Sequence, residues 1–133
     1  CGSAAASEYP DGVVADLRKF FVDALELASK FGLPKEQLCL DPGFGFGKTY
    51  EDNLEILRNL QWLKFKNVAL LAAGSRKRSI GTASGEKNAD MRDSGTVAAH
   101  TAAIAGGADI IRVHDVFSGV QGARVADEIY RKA

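Results

Sequence analysis

Apolar residues in this chain fall into two alternating rhythms. From Val13 to Ala28 they recur at three-and-four spacing, at Val13, Val14, Leu17, Phe20, Phe21, Ala24, Leu25 and Ala28, with Asp16, Arg18, Lys19, Asp23 and Glu26 between them. That spacing predicts an amphipathic helix. Gly32 is placed to end it and Pro34 to prevent a restart. Gln37 to Leu40 then reads as a short strand. Thr49 with Asp52 three residues on reads as a capping box, opening a second helix that carries Leu54, Leu57, Leu60 and Trp62. Asn67 to Ala73 is an unbroken apolar run and so a buried strand. The polar, glycine-containing stretch from Ser79 to Asp93 predicts a mobile loop. Ser94-Gly95-Thr96 starts a third helix with Val97, Ala98, Thr101, Ala102 and Ala105 along it, stopped by Gly106-Gly107. Asp109 to Val113 is a third strand, and a last helix is expected from about Gly119 to Lys132, with Val120, Ala123, Val125 or Ala126, and Ile129 inward.

The order is therefore one helix followed by three βα units, the pattern of right-handed parallel crossovers. Strand starts about 30 to 40 residues apart suit a (β/α)8 barrel, which needs roughly 250 residues. The 133 residues present supply half of that. The fold expected is α/β, the carboxyl-terminal half of such a barrel, over residues 11–133, with residues 1–10 expected as a tag or disordered lead. Three parallel strands leave two open edges, so the chain is expected to pair with a complementing amino-terminal half or to form a homodimer. An open three-layer α/β sheet is the structural alternative.

Composition narrows the function classes. Seventeen Lys plus Arg balance seventeen Asp plus Glu, so no global field draws nucleic acid or an anionic membrane. No apolar run approaches membrane-spanning length and no basic-then-apolar leader opens the sequence. Cys1 and Cys39 are too few for a disulfide framework, which favours a reducing cytoplasm. Neither Cys nor His falls at metal-ligand spacing, so no metal site is expected in the chain.

The chemistry concentrates where strands end. Leu38-Cys39-Leu40 stops at Asp41, and Pro42-Gly43-Phe44-Gly45-Phe46-Gly47-Lys48-Thr49 carries the backbone away. A phosphate-binding P-loop would need glycine where Pro42 stands, and a dinucleotide fingerprint would need one at Lys48, so both are excluded. The glycines permit positive φ and close approach of a ligand to backbone. Asp41 is either a ligand carboxylate or a turn carboxylate. The second strand ends in Gly74-Ser75-Arg76-Lys77-Arg78, the third in Arg112-Val113-His114-Asp115. Parallel strands deliver all three ends to one face, so one carboxylate meets a cluster of cations. Arg112, between apolar neighbours, must be paired or bind something, and its guanidinium can grip phosphate oxygens bidentately. His114 points to the same side in an extended chain and either donates to a phosphate or bonds to backbone. His100 is read as surface or packing. Arg76 and Arg78 are read as loop charges, and Asp109 and Asp115 as cap or salt-bridge residues.

Three segments together resemble dihydropteroate synthases: Leu40-Asp41-Pro42-Gly43-Phe44-Gly45-Phe46-Gly47-Lys48-Thr49, Gly74-Ser75-Arg76-Lys77, and Ile111-Arg112-Val113-His114-Asp115-Val116. Asn53-Leu54-Glu55-Ile56-Leu57 and Gly95-Thr96-Val97-Ala98-Ala99 fit between them in the right order. The resemblance runs from about Asp11 to the end and covers the family's carboxyl-terminal half. It implies condensation of 6-hydroxymethyl-7,8-dihydropterin pyrophosphate with p-aminobenzoate, releasing pyrophosphate, by a route in which positioning and anion stabilisation dominate. It implies that Asp41 binds the pterin's amino-pyrimidine edge and Lys77 its ring oxygen and nitrogen. Phe46 and Ser75 would border the p-aminobenzoate pocket, Lys48 and Arg76 belong to the substrate-binding motifs, and Arg112 and His114, with Ser75, would hold the pyrophosphate. Lys77, Arg112 and His114 are the candidate catalytic residues. The resemblance also implies Mg2+, with its ligands in the family's amino-terminal half, so the chain alone is expected to turn over little. Gly74 stands where the family usually has Thr, and Arg78-Ser79 replaces Ser followed by an apolar residue. A corrinoid-linked pterin-binding methyltransferase and a non-catalytic barrel fragment are the alternatives.

Overall fold

The computed structural model describes residues 8–132. Of the lead expected over residues 1–10, residues 1–7, Cys1 included, lie outside the described residues, and Tyr9 packs against the core. Helix α1 spans Val13–Lys30. It is followed by β1 (Cys39–Leu40), α2 (Tyr50–Arg58), β2 (Ala69–Ala72), α3 (Arg78–Ser84), α4 (Asp93–Ala105), β3 (Ile110–Ile111) and α5 (Val116–Tyr130). The strands form one parallel sheet in the order β1-β2-β3, with Cys39 opposite Ala69 and Leu71 opposite Ile110. Parallel neighbours joined through helices are what the alternating apolar rhythms require.

The core lies between the sheet and its helices. Phe21, Leu17 and Val13 of α1 meet Leu40, Leu70 and Ala72 of the strands, with Ile56, Leu60, Leu63 and Ala103 closing round them. The capping box forms: Thr49 Oγ1 accepts from the Asp52 amide at 3.1 Å, and the Asp52 carboxylate accepts from the Thr49 amide at 2.7 Å.

Several local expectations are corrected. Gln37 lies in a 3-10 turn, so β1 is only two residues long. Helix α2 ends at Arg58, and Leu60 and Trp62 fall in a separate 3-10 turn. Its buried positions are Asn53 and Ile56, and Trp62 is exposed. The stretch from Ser79 to Asp93 is no open loop: α3 fills its first part and a 3-10 turn, Ala89–Met91, its second. The physical reason is Arg92, whose guanidinium donates to the carbonyls of Glu86, Lys87 and Arg76 at 2.9, 2.7 and 3.0 Å. It satisfies backbone groups that a polar segment would otherwise give to water. Gly81 is required beneath it, because a Cβ there would lie 2.4 Å from Arg92 Nε.

Helix α4 buries Thr96, His100, Ala103 and Ile104, and leaves Ala98, Ala102 and Ala105 exposed. Its many alanines make every face look apolar, so the small residues misdirected the assignment. Helix α5 starts earlier than expected because Asp115 caps it, accepting from the Phe117 and Ser118 amides at 3.1 and 3.4 Å. Ala126 is buried as expected, but Val120, Val125 and Ile129 are exposed.

Candidate active site

Asp41 follows β1 directly and is exposed. Its Oδ1 accepts from the Gly43 amide at 2.8 Å, so the turn role is present and one carboxylate oxygen stays uncommitted. Gly43, Gly45 and Gly47 all have positive φ, 71°, 76° and 59°, the left-handed conformation in which L side chains are strained. The loop is tied down from inside by Asn53. That residue is 3% exposed; its Oδ1 accepts from the Gly45 amide at 2.7 Å and its Nδ2 donates to the Thr49 carbonyl at 2.6 Å. Lys48 folds back over the same loop, donating to the Gly43 and Phe46 carbonyls at 3.1 and 3.2 Å. It therefore acts as a staple of the loop, with its ammonium 5.9 Å from the centre of the Tyr9 ring.

After β2 the chain reverses at Arg76, a non-glycine residue with φ of 57°. Five hydrogen bonds to four residues hold it there. Its amide donates to Thr96 Oγ1 at 3.0 Å, its carbonyl accepts from Arg92, and its guanidinium makes two 2.8 Å bonds to the Asp93 carboxylate and a 3.0 Å bond to Asp90. The hydrogen bond to Asp93 holds the Arg76 guanidinium protonated even more firmly than usual, and holds the Asp93 carboxyl below the usual carboxylate range. Arg76 is thus committed to α4 and does not line the cleft where Ser75 and Lys77 stand. Like Lys48, it is a sequence-derived candidate held within the fold rather than lining the cleft. Arg78 is exposed at the start of α3.

Lys77 crosses to the first loop. Its ammonium donates to the Phe44 carbonyl and lies 3.9 Å from the centre of the exposed Phe46 ring, within cation–π range. Burial lowers its pKa; Asp41 opposes that shift, while Arg112 and Lys48 add to it. Asp41 and Arg112, at the ends of the other two strands, therefore both act on Lys77.

The third strand end completes the site. A cleft of about 220 Å³ is lined by Ala73, Ser75, Lys77, Arg112, Val113 and His114. Arg112 was expected within a strand and obliged to find a partner. Instead β3 ends at Ile111 and the Arg112 side chain is exposed, so solvent relieves that obligation, and it makes no ion pair among the described residues. Ser75 is 6% exposed. Its Oγ accepts from the His114 amide at 3.1 Å and lies 2.8 Å from His114 Nδ1. The hydroxyl oxygen keeps a second lone pair, so Ser75 either donates to Nδ1 or accepts from it, according to the tautomer of the His114 ring.

Asn53, Asp93, Arg92 and His100 were not singled out for these roles. The signal for Asn53 was a polar residue in register with Ile56 and Leu60 on an inward face. His100 is 3% exposed; its Nε2 accepts from the Gly74 amide at 3.1 Å and burial lowers its pKa to about 4. Asp109, read as a salt-bridge residue, pairs with Lys64 at the opposite end of the strands.

Chemically, the cleft offers an ammonium, an arginine, a serine and a histidine suited to an anion, and the loop after the first strand adds a carboxylate that can accept from paired N–H donors and an aromatic face beside the ammonium. Among the described residues no group of three or more His, Cys, Asp or Glu could hold a metal ion, and no helix is long and apolar enough to cross a membrane.

Known proteins bear on this geometry. The profile of a family described as "Pterin binding enzyme" matches residues 3–114. A dihydropteroate synthase from Synechocystis sp. is 43% identical over 125 residues, covering 94% of this chain and 43% of that protein. The structure of Xanthomonas albilineans dihydropteroate synthase with 4-aminobenzoic acid superposes with a TM-score of 0.88 at 41% identity, over 96% of this chain and 46% of that one. That of the Thermus thermophilus enzyme in complex with 6HMPPP gives a TM-score of 0.85 at 40% identity, over 93% and 48%. The chain thus spans less than half the length of these relatives, and its βα units form half of a (β/α)8 barrel.

Proposed function

The chain belongs to the pterin-binding enzyme family, and from that premise we propose that it is the carboxyl-terminal half of a dihydropteroate synthase, a transferase that condenses 6-hydroxymethyl-7,8-dihydropterin pyrophosphate with p-aminobenzoate. The observation that carries the reading is the cleft between the ends of the second and third strands, lined by Ser75, Lys77, Arg112 and His114, with Asp41 at the end of the first strand within electrostatic reach of Lys77. The names of the relatives and the bound 4-aminobenzoic acid and 6HMPPP of two of them agree with it.

In this reading Asp41 accepts from the amino-pyrimidine edge of the pterin, and Lys77, fixed by the Phe44 carbonyl, donates to the ring oxygen and nitrogen. Phe46 and Ser75 border the p-aminobenzoate. Arg112 and the Nε2–H of His114 bind the pyrophosphate as its bond to the pterin methylene breaks, so charge develops against donors already in place. Lys48 acts indirectly, by fixing the glycine loop, and so does Arg76, by fixing the turn between Ser75 and Lys77. In this reading magnesium would be held by the family's amino-terminal segment, and no step here is routed through it. The same segment, or a second copy of the chain, would pair the open edges of β1 and β3.

The corrinoid-linked methyltransferase reading is less favoured, because an exposed arginine beside a donor histidine suits pyrophosphate rather than a methyl group. Calorimetric titration of the intact protein carrying this chain separates the readings. Pyrophosphate-dependent p-aminobenzoate binding supports the synthase, methyltetrahydrofolate binding supports the methyltransferase, and no binding of either supports a non-catalytic fragment.

A further inference from the structure

His100 takes no part in the chemistry above, yet it is a polar side chain kept in the core of α4. The Gly74 amide donates to its Nε2, so that nitrogen carries the lone pair and the ring proton sits on Nδ1, which has no partner among the described residues. A buried N–H without a partner is a standing cost, so packing alone does not explain a histidine there. A Cβ on Gly74 would lie 3.5 Å from His100 Nε2 and 3.9 Å from its Cδ2, ordinary contact distances that put the ring directly against position 74. The bonded amide belongs to the residue immediately before Ser75, and Ser75 in turn holds both the amide and Nδ1 of His114. The buried histidine and the cleft histidine are thus joined by hydrogen bonds to neighbouring residues, Gly74 and Ser75, whose link to each other is the covalent backbone.

We propose that His100 is a positioning residue for the anion end of the site: by accepting the Gly74 N–H it fixes the Ser75 turn, and through Ser75 it sets the orientation and tautomer of His114. The proposal rests on the pyrophosphate assignment of His114 and Ser75. It implies two histidines of opposite tautomer, with Nδ1–H on His100 and Nε2–H on His114. Arg76 braces the same turn from its other side through Asp93 and Thr96, so the Ser75 peptide is held at both ends.

The test uses the intact protein carrying this chain, with inorganic pyrophosphate and the pyrophosphate-free 6-hydroxymethyl-7,8-dihydropterin as separate probes. His100→Leu removes the acceptor at similar volume, and His100→Gln restores an acceptor oxygen near the place of Nε2. His100→Leu should weaken pyrophosphate binding about tenfold, the size of one lost hydrogen bond, with dihydropterin binding within about twofold of wild type, and His100→Gln should recover most of the loss. A merely structural role would weaken both probes together. Equal loss of both probes, unchanged pyrophosphate binding in His100→Leu, or no recovery in His100→Gln would overturn the proposal. If the leucine variant does not fold, 15N ring spectra of the wild-type protein decide: protonation at Nδ1 of His100 and Nε2 of His114 supports the arrangement, and any other pair of tautomers overturns it. Failure of wild-type protein to bind pyrophosphate would instead defeat the functional assignment, which the ring spectra do not depend on.

Discussion

Gly45→Ala separates backbone strain from damage to the ligand cleft. Gly45 has φ of 76° and a Cβ there would lie 2.8 Å from Lys77 Cδ. Holding alanine in the left-handed region costs about 1–2 kcal/mol. To regain an ordinary contact the Lys77 stem must also move by at least a few tenths of an ångström, which draws its ammonium off the Phe44 carbonyl and the Phe46 ring. Gly85 supplies the control, with the same φ of 76° but nothing within 4 Å of the added methyl. For a protein of roughly 250 residues, each kcal/mol corresponds to about 2–4 °C in Tm, so both variants should melt about 2–8 °C below wild type. Only Gly45→Ala should lose affinity for 6-hydroxymethyl-7,8-dihydropterin pyrophosphate, by about tenfold, equivalent to ~1.4 kcal/mol or one charge-assisted hydrogen bond. Thermal melts and calorimetry of the intact protein provide both readouts. Equal affinities in the two variants would refute the view that Gly45 is small for the sake of Lys77.

Three other outcomes follow from the same contacts. Asn53→Ala leaves the Gly45 amide and the Thr49 carbonyl without their buried partner and should cost about 2–3 kcal/mol in urea unfolding, with the glycine-loop amides exchanging faster. His100, with a folded pKa of about 4 against an ordinary 6.5, binds a proton less readily folded than unfolded; stability is therefore full above pH 6.5 and falls by roughly 3 kcal/mol as pH drops towards 4. His100→Gln should flatten that part of the urea-midpoint profile. Lys77, whose pKa is lowered chiefly by burial, should be acylated at a lower pH than an ordinary lysine of equal access, and pyrophosphate at saturation should cut its labelling rate at least about fivefold, a protection expected of a cation lining an occupied site, as peptide mass mapping would record.

How much of this could be read from the chain depends on the range of the interactions involved. The glycine loop was legible because positive φ is a property of single residues, and the Thr49–Asp52 cap because it spans three positions. The meeting of strand ends was legible because parallel topology imposes it without knowledge of any side-chain contact. Helix α3 was not, since it is organised by Arg92 reaching back to three carbonyls, a tertiary contact that no local spacing encodes. The face of α4 was misread because alanines carry almost no directional information, and the one strongly placed residue, His100, is polar. Arg76 looked equivalent to Lys77 in the motif; the left-handed turn at Arg76, visible only in three dimensions, sends the two side chains to different partners.

The most direct measurement is a crystal structure of the intact protein with 6-hydroxymethyl-7,8-dihydropterin pyrophosphate. The expected result has the amino-pyrimidine edge on the Asp41 carboxylate, Lys77 on the pterin ring, and the pyrophosphate between Arg112 and Nε2 of His114 beside Ser75. A ligand bound away from these strand ends, or a pyrophosphate touching neither Arg112 nor His114, would contradict it.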